Sequence, residues 1–257
     1  MCAAVPFAIR LEPVRLPKAA DIVAGALRAK IVTGELQADD PLPPEEQLMS
    51  EMRVARTTIR EALRVLESEG LVVIRRGAGG GARVRLPSGA TVARYIGLLL
   101  QYEGATVSDV HRARTMLEAP AAGLLAENAT PEALAALREA LDDEAAGLDD
   151  PLRASRAQGH FHQRVVELTG CRTYMALSAV ASRIIQAHAD GFFAAHAEES
   201  ATRKGLLAAH RAHVRLVELV AAGASRDAED LWRRHLEASD AVFMKASAAA
   251  SVLDLLN

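Results

Sequence analysis

Three histidines lie in separate helix-like stretches of the second half of this 257-residue chain, namely His162, His213 and His235. Imidazoles that converge from different helices suit Zn²⁺ or a similar borderline metal, with positions left open for water or a ligand carboxylate. Because the three residues lie far apart in sequence, their spacing leaves two interpretations open. They bind one divalent metal, or each is an ordinary hydrogen-bonded core histidine.

A second group of side chains that could have a binding role begins at residue 56. A short predicted helix and a turn precede a longer predicted helix whose first residues include Arg56, Thr57, Thr58 and Arg60. In a helix-turn-helix, side chains at the start of the second helix reach base edges in the major groove. The pattern therefore predicts that these four residues contact DNA.

A predicted β-hairpin follows that helix. Residues 71–74 and 82–86 have strand-like composition, and the loop between them begins Arg75, Arg76, Gly77 and continues with further glycines. Glycines allow a sharp turn, and the arginines can meet phosphate or a groove floor, so we predict a DNA-contacting wing. The alternative is an ordinary hairpin on a small solvated domain. The glycine spacing fits neither a dinucleotide-binding loop nor a Walker loop.

Charge is distributed unevenly along the chain. Residues 50–86 contain eight arginines and four glutamates, whereas the whole chain has a formal net charge of −3. A local basic surface on a mildly acidic protein is expected when one face meets phosphate. An ordinary solvated face would have a similar composition, so charge supports the prediction without deciding it.

Length and periodicity predict two domains in a mainly α protein. We expect a winged helix-turn-helix domain with a small β-hairpin wing over residues 18–86 and a C-terminal all-α antiparallel helical bundle over residues 91–250. Residues 1–17 are expected to form a flexible N-terminal segment, 87–90 a linker and 251–257 a tail. Helices of the second domain are predicted at 91–103, 107–128, 130–146, 151–169, 173–197, 198–222 and 226–249.

The sequence predicts a cytoplasmic location without a membrane partner. No uninterrupted apolar run reaches membrane-spanning length, and charged residues and prolines break the first 17 residues, which argues against a signal peptide. Cys2 and Cys171 are too few and too far apart to predict a disulfide framework or a cysteine-ligated metal.

Three sequence blocks in fixed order resemble the DNA-binding domain of the GntR superfamily of bacterial transcription regulators. Residues 42–48 resemble its Leu-Pro-x-Glu-Arg-x-Leu block, and residues 54–63 and 66–71 resemble the two that follow. Two positions depart from the pattern. Glu46 stands where a DNA-contacting arginine is usual, and Ala55 replaces a Ser or Thr that caps the recognition helix, a loss of about 0.5–2 kcal/mol. An acidic Glu46 would repel phosphate, so we expect these departures to affect the operator sequence more than DNA binding itself.

Residues 108–236 resemble the effector-binding FCD domain of the FadR branch of that superfamily. The resemblance rests on the motif from Arg114 to Glu118 and on the surroundings of the three histidines. It implies that His162, His213 and His235 bind a divalent metal, expected to be Zn²⁺, and that Arg114 faces the effector. Gln158 stands in place of a metal-binding Asp, so its neutral amide would bind metal more weakly than a carboxylate.

These observations predict a homodimeric transcription regulator, not an enzyme. Its partners would be an approximately palindromic double-stranded DNA operator and a small-molecule effector, with a carboxylate as the default effector. One alternative is a metal-free regulator of the same architecture that senses a fatty acyl or other apolar ligand. A more distant alternative is a three-histidine metallohydrolase, which the absence of an HExxH motif on the three predicted helices disfavours.

Overall fold

The computed structural model describes residues 17–75, 77, 80–86 and 89–247. The chain divides into two units, Met1–Ser88 and Gly89–Asn257. The first unit contains α1 (Ala19–Val32), α2 (Glu45–Met52), α3 (Arg56–Ser68), β1 (Val72–Arg75) and β2 (Gly81–Val84). The second contains α4 (Gly89–Tyr102), α5 (Val107–Glu127), α6 (Pro131–Ala145), α7 (Pro151–Glu167), α8 (Arg172–His196), α9 (Ser200–Ala221) and α10 (Ser225–Ser247).

The first unit is a winged helix-turn-helix, as the sequence predicts. Strands β1 and β2 pair antiparallel, with Val72 opposite Val84 and Arg75 opposite Gly81. Between α2 and α3 the chain turns through Arg53, which adopts the left-handed conformation at φ 53° and ψ 46°. Arg56 and Arg60 in the first half of α3 contact Glu46 and Glu45 at the start of α2.

Helix α3 is strongly amphipathic, and this property fixes which face the unit presents to solvent. Ile59, Ala62 and Leu66 are fully buried and pack against residues of α1, α2 and the hairpin. Their spacing of three and four residues places them on one face of the helix. Arg56, Thr57 and the other polar residues of α3 therefore remain on the outer face.

The second unit is an all-α bundle, which confirms the predicted fold class. Within the described residues its seven helices lie within a few residues of the predicted ranges. Helix α4 begins at Gly89, so two of the four residues predicted as a linker are helical. No helix in the described part of the chain has both the length and the apolar character needed to cross a bilayer.

Capping side chains account for several of the helix starts. Thr106 and Asp109 form a capping box at the start of α5, and Thr130 accepts a hydrogen bond from the Ala133 amide at the start of α6. Asp150 accepts from two amides at the start of α7. These oxygens satisfy backbone donors that have no partner within the helix.

The core of the second unit places α5, α7, α9 and α10 against one another. Helices α5 and α10 approach closely at Gly123, where an added Cβ would lie 3.2 Å from the Ser225 carbonyl oxygen. Phe161 on α7, Leu216 on α9 and Trp232 on α10 are fully buried in one cluster. His162 follows Phe161 directly, His235 lies one turn after Trp232, and both histidines are buried.

Candidate functional site

The outer face of α3 carries the side chains that the sequence predicts to contact DNA. Arg56, Thr57 and Arg60 are exposed, and Thr58 is partly buried. Arg64, one turn beyond Arg60, extends this basic face and was not among the predicted residues. A face with three arginines in two and a half turns of one helix is suited to a polyanion.

Two glutamates from the first turn of α2 contact this basic face. Glu46 Oε1 accepts from Arg56 Nη2 at 3.1 Å, and both carboxylate oxygens of Glu45 lie 3.1 Å from Arg60 Nε. Glu45 is also 4.0 Å from Arg56 Nε. Arg56 and Arg60 of α3 are thus paired with carboxylates of α2.

The structure describes two of the three predicted wing residues, Arg75 and Gly77. Arg75 ends β1, is exposed, and lies 3.7 Å from a carboxylate oxygen of Asp39. Gly77 has a φ of +100°, a conformation that favours glycine at the hairpin turn. Arg76 lies outside the described residues. A role for these three residues in DNA contact stays a prediction.

In the second unit, the three predicted histidines meet in the interior. His213 Nε2 lies 3.1 Å from His235 Nε2, which lies 3.3 Å from His162 Nε2. One ligand atom from each histidine lies within 4.8 Å of the other two. Metal–nitrogen bonds of about 2.0–2.1 Å in a tetrahedral arrangement separate two nitrogens by about 3.3 Å. The group therefore has the spacing of a metal site.

Burial keeps these imidazoles in the neutral form that binds metals. It lowers the pKa of His162, His213 and His235 well below the ordinary histidine value, and the positive charge of Arg114 acts in the same direction. Trp232 packs against all three rings, and Phe161 stacks on His213 with ring centroids 4.5 Å apart. This aromatic wall excludes water from one side of the group.

Glu118 on α5 lies behind His162. Its Oε2 is 2.7 Å from His162 Nδ1, and its Oε1 accepts from Arg114 Nε at 3.0 Å. Arg114 Nη2 is also 2.6 Å from the same Nδ1. Arginine only donates, so Nδ1 either accepts from Arg114 or donates to Glu118. A metal on Nε2 requires the proton on Nδ1, and Glu118 is then its acceptor.

Glu144 on α6 lies behind His213 in the same way. Its Oε2 is 2.7 Å from His213 Nδ1, and its Oε1 accepts from Gln158 Nε2 at 3.0 Å and lies 3.2 Å from His210 Nδ1. Burial raises the pKa of Glu144, while His210 and Gln158 oppose that rise. Burial likewise raises the pKa of Glu118 despite Arg114.

Gln158, the predicted substitute for a metal-binding Asp, has another contact pattern. Its amide nitrogen donates to Glu144 Oε1 and to the Leu206 carbonyl oxygen, each at 3.0 Å. Both partners are acceptors, which fixes the orientation of the amide. In this structure Gln158 positions the carboxylate behind His213, and binding of metal by its oxygen stays a prediction.

Tautomer chemistry favours a cation among the three Nε2 atoms. When Nδ1 of His162 and of His213 donate to their carboxylates, both Nε2 atoms carry lone pairs directed at His235. His235 Nε2 has at most one proton, so it can satisfy only one of these two neighbours. A cation bound to all three nitrogens would remove the repulsion on the Nε2 atom that His235 leaves without a donor.

Sequence reasoning did not identify the two carboxylates behind the histidines as parts of this site. Glu118 appears in the sequence analysis only as the last residue of the motif that begins at Arg114, and a spacing of four residues most often gives a surface ion pair. Glu144 lies in a run of acidic residues on α6 with no motif around it. Complete burial of both side chains is the signal, and it is visible only in the fold.

Comparison with known proteins places both units in described families. Residues 19–81 match the family described as bacterial regulatory proteins, gntR family, and residues 109–238 match the FCD domain. The solved structure of Streptococcus agalactiae GntR has a TM-score of 0.64 and 20% identity, covering 86% of this chain and 99% of that chain. At that identity the likeness shows the fold alone.

Curated relatives are named as repressors. The chain is 33% identical over 171 residues to the HTH-type transcriptional repressor NanR of Klebsiella aerogenes, covering 65% of each protein. It is 31% identical over 173 residues to NanR of Salmonella bongori, covering 66% of this chain and 65% of that protein. The match thus spans just under two thirds of the length of these relatives. The FCD match alone covers half of the chain, and the chain belongs to the GntR family of bacterial regulatory proteins, with an FCD domain as its second unit.

Proposed function

We propose that this chain is a transcription regulator, and specifically a repressor, that binds double-stranded DNA through the outer face of α3. The observation that carries the proposal is the exposed row of Arg56, Arg60 and Arg64 on the second helix of a helix-turn-helix. The relatives named as transcriptional repressors support it and favour a regulator over an enzyme. Such a protein acts in the cytoplasm, where its operator lies.

The full chain acts as a homodimer in this proposal. Helix α4 exposes an apolar stripe, Val92, Tyr95, Leu99 and Tyr102, whose spacing of three and four residues keeps it on one face. Ala93 on the opposite side is buried against α8. Large exposed apolar surface marks a protein interface, and a second copy covers it through a two-fold contact. Sedimentation of wild type against Leu99→Glu tests this, with loss of the dimer expected.

A divalent metal, Zn²⁺ in the first instance, is held by His162, His213 and His235. Such an ion would supply a Lewis-acidic centre with at least one position open to an oxygen ligand. Glu118 and Glu144 orient the imidazoles of His162 and His213 through Nδ1. Elemental analysis of the protein purified without chelators tests this point: about one metal per chain is expected, and none would leave a metal-free regulator.

The effector is a small carboxylate that binds beside the metal. Arg114 supports this assignment because its guanidinium is buried and lies 2.6 Å from His162 Nδ1, next to the proposed metal site. When Glu118 becomes the acceptor for His162, Arg114 retains one contact to Glu118 and can direct its remaining donors to a carboxylate. Arg114→Lys should therefore weaken the response of DNA binding to carboxylates.

Selection of binding sites from random double-stranded DNA tests the proposed function. The full-length chain should enrich a site with approximate two-fold symmetry, because a two-fold dimer presents two copies of α3. An Arg56→Ala, Arg60→Ala double variant that keeps its helix content is the control, and it should enrich nothing. Failure of the wild-type protein to enrich any sequence at low salt would overturn the proposal.

A further inference from the structure

The ion pair between Glu46 and Arg56 has no evident role in holding the fold together. The Glu46 side chain is 83% exposed and that of Arg56 49% exposed. Pairs this open to water contribute little to folding stability because solvent screens them and two long side chains lose freedom. The core of the unit is formed by other residues, among them Ile59 and Leu66. We therefore expect Glu46 to affect which groups Arg56 binds and not the stability of the fold.

The contacts of Arg56 occupy only part of its guanidinium group. Glu46 accepts from Nη2 at 3.1 Å, and Glu45 lies 4.0 Å from Nε. Arginine has five N–H donors in a fixed plane. The two protons on Nη1 and the second proton on Nη2 remain, and neighbouring donors of this kind match O6 and N7 of guanine in a bidentate contact.

A carboxylate beside Arg56 discriminates between two kinds of DNA contact. Phosphate carries a full negative charge, which Glu46 repels at short range. A guanine edge offers acceptor atoms without net charge, so the repulsion is much smaller. Glu46 also restricts the rotation of a long side chain, which lowers the entropy lost when Arg56 meets a base. Both effects favour a base edge over the backbone.

We propose that Glu46 determines the sequence preference of this chain by holding Arg56 for a guanine edge and away from phosphate. The proposal rests on the proposed function, because it requires that the chain binds DNA through α3. It makes Glu46 a positioning residue whose removal changes which sequences are bound more than how tightly DNA is bound. Operators of this chain then contain a G·C pair at the position that Arg56 contacts.

The test compares base preference in wild type, Glu46→Ala and Glu51→Ala, measured by competition between the selected site and sites with each base changed. Glu51 is a matched control because it is an exposed glutamate of the same helix whose contact is to Gln47. Both substitutions remove one negative charge. Both should tighten binding to random DNA and steepen its salt dependence, and Glu46→Ala should do so more strongly because it also frees Arg56 for phosphate.

Only Glu46→Ala should reduce the preference for guanine at one position of each half-site, by about tenfold, the size of a bidentate contact. In an Arg56→Ala background the Glu46→Ala change should have no further effect on preference. Equal base preferences in wild type and Glu46→Ala, or an equal loss in Glu51→Ala, would overturn the proposal. If wild type binds no DNA sequence-specifically, the proposed function itself fails, which is a distinguishable result.

Discussion

Replacement of Glu144 by glutamine tests whether this carboxylate supports metal binding or the stability of the fold. Glu144 is completely buried, with His213 Nδ1 2.7 Å from one oxygen and Gln158 Nε2 3.0 Å from the other. A glutamine at 144 offers one oxygen and one amino group. While His213 Nδ1 keeps its proton, a donor faces a donor whichever way the new amide turns, and Gln158 is kept from turning by its bond to the Leu206 carbonyl.

The expected loss of metal affinity follows from that conflict. When the new amino group faces His213, Nδ1 must accept, the imidazole proton moves to Nε2, and that nitrogen can no longer bind metal. Loss of a carboxylate behind a metal-bound histidine typically costs about 10–100-fold in affinity. This corresponds to about 1.4–2.7 kcal/mol. At saturating Zn²⁺ this loss of binding free energy should lower the melting temperature of a unit of this size by about 3–10 °C.

The metal-free protein should respond differently. Burial raises the pKa of Glu144, so its charged form is disfavoured by the surroundings. Removing that charge offsets the loss of one hydrogen bond, and we expect the free energy of unfolding without metal to change by no more than about 1 kcal/mol. Zinc affinity by chelator competition and melting curves with and without zinc measure both quantities, with Glu139→Gln, an exposed position on the same helix, as the control. Wild-type zinc affinity in Glu144→Gln would refute the reasoning.

Further predictions concern the same centre. His235→Ala should lower metal content and blunt the response to effector while operator binding persists, since α3 belongs to the other unit; unchanged metal content by elemental analysis would contradict the assignment. Gln158→Asp should raise zinc affinity, because a carboxylate binds the metal more strongly than the amide that it replaces; a lower affinity would show that the contact of Gln158 to Glu144 matters more. Burial lowers the pKa of the three histidines, so proton competition should begin only well below pH 6.5, and zinc affinity at pH 6.5 and 7.5 should agree within twofold. Unperturbed imidazoles would lose about sixfold over that interval, which a titration with a competing chelator resolves.

The helices and the solvent-facing side of α3 could be predicted from the sequence because they depend on local signals. Thr130 and Asp150 precede prolines at helix starts, and both cap their helices in the structure. The alternation of buried and exposed residues on α3 follows directly from its apolar spacing. The convergence of the three histidines followed from resemblance, since spacing alone could not have brought α7, α9 and α10 together.

The remaining features depend on tertiary placement. The contact of Glu46 with Arg56 joins two helices and depends on how α2 packs against α3. The hydrogen bond from Gln158 to Glu144 depends on how α6 packs against α7. The presence of Gln158 in place of an Asp indicates in the sequence that a metal ligand has changed, but it does not show that Gln158 contacts Glu144. Hydrogen bonds between elements distant in sequence leave no periodic signal by which they could be predicted.

The affinity of the full chain for its selected operator, measured over a range of salt concentrations in wild type and Arg56→Ala, tests the central claim most directly. Arg56→Ala should weaken operator binding by about 1–3 kcal/mol, and it should weaken binding to random DNA only by the small factor expected for the loss of one exposed charge. Circular dichroism should show the same helix content in both proteins. Equal affinity of wild type and Arg56→Ala for the operator would contradict the claim that the outer face of α3 reads DNA.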